Sequence, residues 1–122
     1  MKKILIVEDD KDFLWILRQS FSGQPFSVIY AVDGQEGLIM AEKEKPDLII
    51  IDIMLPKMDG ITMAKNIKEK GIESQMIFLT NLKDPEHISQ TMDIAGESDY
   101  IVKSDMGIDA IVSRVKRKLD IK

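Results

Sequence analysis

A chain of 122 residues, 44% hydrophobic and 31% charged, has the balance of a folded globular domain. It is long enough for one core that buries roughly two-thirds of the unfolded surface and too short for two domains. A net charge of −4, from 17 basic and 21 acidic residues, argues against non-specific contact with nucleic acid or an anionic membrane, and the lack of cysteine excludes disulfides, thiolate metal sites and a cysteine nucleophile.

The N-terminal stretch MKKILIVEDD has an apolar run of only four residues, ILIV at 4–7, before three acids. That is no signal peptide, and no stretch approaches the length of a membrane span. One cytoplasmic domain over residues 1–122 is expected. A short apolar run between polar residues reads as a strand buried on both faces. Asp10 then caps a helix whose Phe13, Leu14, Leu17 and Phe21 share one face. Trp15 and Ile16 lie off that face, either to pack on the last helix or to serve as a partner surface.

FSVIYAV at 26–32 is a weaker run and predicts an edge strand. Asp33-Gly34 turns the chain into a helix over 34–44, on the spacing of Gly37, Leu38 and Ala41, which runs out into the solvated EKEK at 42–45. LIII at 48–51 is the third strand and leads straight into Asp52. Asp59 caps a helix over 60–70 (Ile61, Ala64, Ile67), which Gly71 ends. MIFLT at 76–80 is the fourth strand. Asp84-Pro85 opens a helix over 85–96, with Gly96 at its end and His87, the one histidine, exposed in its first turn. YIV at 100–102 is the fifth strand. Ile108, Ile111, Val112, Val115 and Leu119 mark the last helix, with Arg114, Lys116, Arg117 and Lys118 in its closing turns, where cations complement the dipole. The eight methionines read mostly as gap-fillers, with Met40, Met63 and Met106 as candidate contact sites.

Five strands alternating with five helices make one α/β unit, a doubly wound (βα)5 sandwich around a parallel sheet. Ligands in such sheets bind outside the carboxyl ends of the strands. The strong runs end at Glu8 and Asp9, at Asp52, at Thr80 and at Lys103. Asp10 is better placed as the helix cap and is assigned to structure. Three carboxylates on one rim repel one another unless a cation sits among them, and oxygen ligands without His or Cys suit Mg2+. A hydroxyl from Thr80 and a point charge from Lys103 complete a site for a phosphoryl group. Asp52 is then the candidate nucleophile, taking the group as an acyl phosphate.

These residues carry a resemblance. Glu8-Asp9 after ILIV, Asp52 in IIIDIMLPKMDG, Thr80 closing MIFLT, and Lys103 in DYIVK with Tyr100 three places before it occur in order along the chain. The sequence resembles, over its full length, the receiver domain of bacterial two-component response regulators. The resemblance implies a flavodoxin- or CheY-like fold with strand order 2-1-3-4-5. It implies phosphoryl transfer to Asp52 from a sensor histidine kinase or phosphotransfer protein, with Mg2+ held by Asp9, Asp52 and the backbone carbonyl of Met54, and by Glu8 through water. It also implies that Thr80 and Tyr100 reorient on phosphorylation, remodelling the face of the predicted fourth helix, fifth strand and fifth helix for a downstream protein partner. Such a domain is a signalling phosphoacceptor that assists its own phosphorylation and dephosphorylation, rather than an enzyme. It works as a monomer or a weak phosphorylation-dependent dimer, without direct contact with nucleic acid or membrane.

Four positions depart from the family pattern. Ser104 follows Lys103 where a cis proline is usual; a non-proline cis bond costs about 2.5–4 kcal/mol, so a trans bond and a different placing of the lysine are expected. Asn81 follows Thr80 where a small residue is usual. Leu82 and Met54 put apolar groups where the hydrolytic water is tuned, predicting slow self-dephosphorylation.

Other readings fare less well. A haloacid-dehalogenase-like phosphatase needs a second acid where Met54 stands. A flavodoxin-like cofactor site needs hydroxyls and glycines where VEDDKD stands. A receiver-like module that binds without phosphate stays open because of Ser104 and Asn81. RKLDIK ends without a linker, which favours a stand-alone receiver, although an excised domain with an engineered boundary has the same look.

Overall fold

A computed structural model of the chain describes residues 1–80, 99–103 and 107–120. Its elements are β1 (Lys2–Val7), α1 (Lys11–Phe21), β2 (Phe26–Ala31), α2 (Gly34–Glu44), β3 (Leu48–Asp52), α3 (Gly60–Glu69), β4 (Gln75–Thr80), β5 (Asp99–Val102) and α4 (Ile108–Lys118). All five strands are parallel, in the order β2-β1-β3-β4-β5. The predicted helix over 85–96, with Asp84, His87 and Gly96, lies outside the described residues, as do Asn81, Leu82, Ser104 and Met106.

Alternation along the strands sorts the core into two layers. Successive side chains of a strand point to opposite faces. Ile4 and Ile6, Leu48 and Ile50, Ile77 and Leu79, and Ile101 form one layer with Leu17 and Phe21 of α1 and Ile111, Val112 and Val115 of α4. Leu5 and Val7, Ile49 and Ile51, and Met76 and Phe78 form the other with Ala41 of α2 and Met63, Ala64 and Ile67 of α3. Because both faces are covered, β1, β3 and β4 read as continuous apolar runs. β2 lies at the edge, as its weaker run predicts.

Asp10 and Asp59 cap their helices as predicted, and Asp33, read as a turn residue, caps α2 as well. Asp10 Oδ1 accepts from the N–H groups of Asp12 and Phe13 at 3.0 and 3.2 Å. Asp33 accepts from Glu36 N–H at 2.7 Å, and Asp59 from Thr62 N–H at 2.8 Å. Past the end of α3, Gly71 takes φ +74°, the left-handed conformation that glycine adopts without steric cost.

One surface expectation needs correction and another, with two readings open, is narrowed. Met63 is fully buried between α3 and the sheet and Met40 is half-buried against the same layer, so neither is an exposed contact site; methionine fills core gaps as readily as it covers surfaces. Trp15 is 63% exposed and Ile16 40% exposed, so Trp15 faces solvent instead of being packed under the last helix.

Candidate functional site

Strand parity places the predicted site. Continuing the Ile4–Ile6 row reaches Glu8, continuing Leu48–Ile50 reaches Asp52, and the step after Ile101 on its face is Lys103. All three therefore fall on the α1/α4 side of the sheet, at its carboxyl rim. Thr80 and Tyr100 have the opposite parity, on adjacent strands where Thr80 pairs with Val102 and Phe78 with Tyr100. Thr80 is fully buried, and Tyr100 is half-buried against the α2/α3 layer.

Backbone contacts fix the ends of these strands. Glu8 N–H donates to Ala31 O at 3.0 Å, Ile53 N–H to Leu79 O at 3.0 Å, and Lys103 N–H to Thr80 O at 2.7 Å. Gly60, the first residue of α3, lies so close to the third strand that a Cβ there would sit 2.3 Å from Asp52 O. Its N–H donates to Ile53 O at 2.9 Å, closing the loop that follows Asp52.

At the centre is a network of three charged side chains. Lys103 Nζ donates to Asp52 Oδ2 at 2.9 Å and also to Glu8 Oε1. The other oxygen of Asp52 accepts from Met54 N–H at 3.1 Å. Glu8 Oε2 accepts from the N–H groups of Asp9 and Asp10 at 3.0 and 3.3 Å, holding the turn that presents the exposed Asp9. The Lys103 side chain retains only 9% of its exposure and Glu8 none. On its remaining side the ammonium lies 4.4 Å from the centroid of the Phe13 ring.

This environment moves two protonation equilibria. Burial, reinforced by the hydrogen-bonded Asp52, pushes the Glu8 carboxyl up to about 8, against the pull of Lys103. Burial works to lower the Lys103 ammonium, and its hydrogen bonds to Glu8 and Asp52 outweigh that, leaving it raised.

Glu8, Asp9 and Asp52 each offer a carboxylate oxygen, all within 4.8 Å of one another. A set of hard oxygens with one member open to solvent fits Mg2+, which is held by few carboxylates and keeps much of its water. A cleft of about 510 Å3 at the opposite end of the strands, between Lys2, Asp47, Lys70 and Gln75, takes no part in this site.

Most predicted residues are thus brought together: Glu8, Asp9, Asp52 and Lys103 gather at the rim, with Thr80 one strand away and the Met54 N–H, not its predicted carbonyl, seen on Asp52. Lys103, whose placing Ser104 left open, reaches both carboxylates with its ammonium. Asp10 stays outside, as a cap. Phe13 had been assigned only to the apolar face of its helix, and nothing in its spacing set it apart from Leu14 or Leu17.

The sequence matches the response regulator receiver domain family over residues 4–116. The chain belongs to that family. It is 37% identical over 122 residues to the alkaline phosphatase synthesis transcriptional regulatory protein PhoP of Bacillus subtilis, covering 98% of this chain and 50% of that protein. The receiver therefore spans about half the length of the curated relatives it matches. Among solved structures it resembles a CheY-like response regulator receiver domain protein from Methanospirillum hungatei, with TM-score 0.89, 28% identity and coverage of 98% and 94% of the two chains. It also resembles the CheX-CheY-BeF3-Mg2+ complex from Borrelia burgdorferi, with TM-score 0.85, 30% identity and coverage of 99% and 90%. Receivers of this family are signalling domains of two-component systems. No described helix of this receiver is long and apolar enough to cross a membrane.

Proposed function

We propose that residues 1–122 form one receiver unit that accepts a phosphoryl group on Asp52 from a sensor histidine kinase or phosphotransfer protein. The observation that carries this reading is the carboxylate of Asp52, nearly buried at the end of a central strand, with Lys103 Nζ 2.9 Å from one oxygen and two further acids beside it. A charge at that place is costly unless it is used or paired.

In the proposed step an Asp52 oxygen forms a bond to phosphorus while the bond from phosphorus to the donor imidazole nitrogen breaks and the imidazole leaves with the electron pair. Lys103 then donates from Asp52 to the incoming phosphoryl oxygens, and the Thr80 hydroxyl turns to a further oxygen. Asp9, Asp52 and the Met54 carbonyl would hold Mg2+, with Glu8 acting through a water. The ion supplies neutralisation of charge on the transferring oxygens. Glu8 fixes the turn that presents Asp9.

The new charge of about −1.5 to −2 is read at a distance. Thr80 and Tyr100 share one face of two adjacent strands, which supports their coupled reorientation; the partner surface they control is the face of the predicted fourth helix, β5 and α4. Net charge and the lack of a spanning helix among the described residues support a cytoplasmic domain without direct nucleic-acid contact. The test is phosphoryl uptake from acetyl phosphate and Mg2+, read by intact mass, in wild type and Asp52→Asn. One added group on the wild type alone supports the reading; none on the wild type overturns it.

A further inference from the structure

The Lys103 ammonium is held on three sides. Two are the carboxylates of Asp52 and Glu8, and the third is the ring of Phe13, 4.4 Å from ammonium to centroid. A lysine stem has four flexible carbons and its ammonium is a point charge without the fork geometry of arginine, so two carboxylate acceptors alone do not fix it. An aromatic face attracts a cation electrostatically, and more strongly where water is excluded, as around this side chain. The ring is itself placed with care. Phe13 is the third residue of α1, its N–H is held by the Asp10 cap at 3.2 Å, and its side chain packs against the α1/α4 layer.

We propose that Phe13 is a positioning residue, whose ring face holds the Lys103 ammonium against Asp52. The inference deepens the phosphoacceptor reading and rests on it for its effect on rate. It contrasts with a purely packing role, in which any apolar side chain of similar size would serve at position 13. In the displacement described above, the ammonium must meet the phosphoryl oxygens as the bond to Asp52 forms, and a tethered ammonium begins close to that place.

The experiment compares wild type, Phe13→Tyr and Phe13→Leu, each also in a Lys103→Met background. Without Mg2+ or donor, NMR reads the Lys103 ε-methylene protons. They are expected upfield, shifted by the ring current, in wild type and Phe13→Tyr, and at an ordinary lysine position in Phe13→Leu. With Mg2+ and acetyl phosphate, Phe13→Leu is expected to slow phosphoryl uptake by about 5- to 30-fold, Phe13→Tyr to keep the wild-type rate, and Phe13→Leu to add nothing once Lys103 is Met.

Equal rates for Leu and Phe at position 13, or the same slowing by Phe13→Leu in the Lys103→Met background, overturn the inference, because the ring then acts by packing. A wild type without the ring-current shift overturns it whatever the rates. A wild type with the shift that takes no phosphoryl group supports the placing of the ammonium by Phe13 and overturns the phosphoacceptor reading instead.

Discussion

Lys103 Nζ lies 2.9 Å from Asp52 Oδ2, joining the ends of two strands that are not neighbours in the sheet. The ammonium offsets the buried Asp52 carboxylate and also donates to the Glu8 carboxyl. Lys103→Met leaves Asp52 without a cation in the metal-free protein. It is expected to lower stability by about 2 kcal/mol in urea unfolding without Mg2+ and by clearly less at saturating Mg2+, where the ion replaces the lost charge. An equal loss in both conditions would mean that Lys103 contributes through its stem and not its charge.

Glu8 gives the metal-free protein a pH dependence of definite sign. Its folded value of about 8 lies above the ordinary 4.5, so between these limits the folded chain binds a proton that the unfolded chain has released. Its contribution is present in full below pH 4.5 and is lost as pH rises through 8. The raised Lys103 value has the same sign, but its window starts above 10.5 and leaves this range untouched. Urea midpoints without Mg2+ at pH 5, 6.5 and 8 should fall more steeply for wild type than for Glu8→Gln. Mg2+ affinity should rise over the same interval, since the ion displaces the proton. Parallel midpoint curves would contradict the assignment to Glu8.

The adjacent acids Asp9 and Asp10 separate site from scaffold. Asp10→Ala removes the cap of α1 and is expected to lower stability by about 1 kcal/mol while leaving Mg2+ affinity within a factor of two or so of wild type. Asp9→Asn should do the reverse, with weak effects on unfolding and a loss of Mg2+ affinity of tenfold or more, on the order of one charged ligand. Titration of Mg2+ by calorimetry on both variants makes the comparison.

Gly60→Ala tests the scaffold around Asp52. A Cβ there would meet Asp52 O at 2.3 Å and Ile51 Cγ2 at 2.8 Å, so backbone must shift. A loss of about 1–3 kcal/mol in thermal or urea unfolding is expected, with slower phosphoryl uptake because the displaced strand end carries Asp52. A fully stable, fully active variant would show that the loop yields without moving the carboxylate.

The parts legible from sequence were those set by local chemistry. Runs such as ILIV and LIII mark strands covered on both faces because every residue in them is apolar, and Asp10 and Asp59 mark helix starts because a carboxylate satisfies free N–H groups there. Asp9 and Asp10 could be told apart because one leaves the strand and the other meets the helix. What was not legible depended on contacts distant in sequence. Phe13 had the spacing of any core residue of α1, and only the folded position of Lys103, ninety residues on, gives its ring a cation. Lys103 was placed at the rim, but Ser104 in place of a proline left the aim of its amine open; the register of β5 on β4 and two carboxylates bring the ammonium in. Met63 was ambiguous because the same flexible side chain suits core and surface.

The central claim is that Asp52 accepts a phosphoryl group. Intact mass after incubation with Mg2+ and acetyl phosphate, on wild type and Asp52→Asn together, tests it most directly. The account predicts a single phosphoryl adduct on the wild type, lost when Mg2+ is chelated beforehand and absent from Asp52→Asn. An unmodified wild type under conditions where Mg2+ binding is measured, or an adduct that persists in Asp52→Asn, would contradict it.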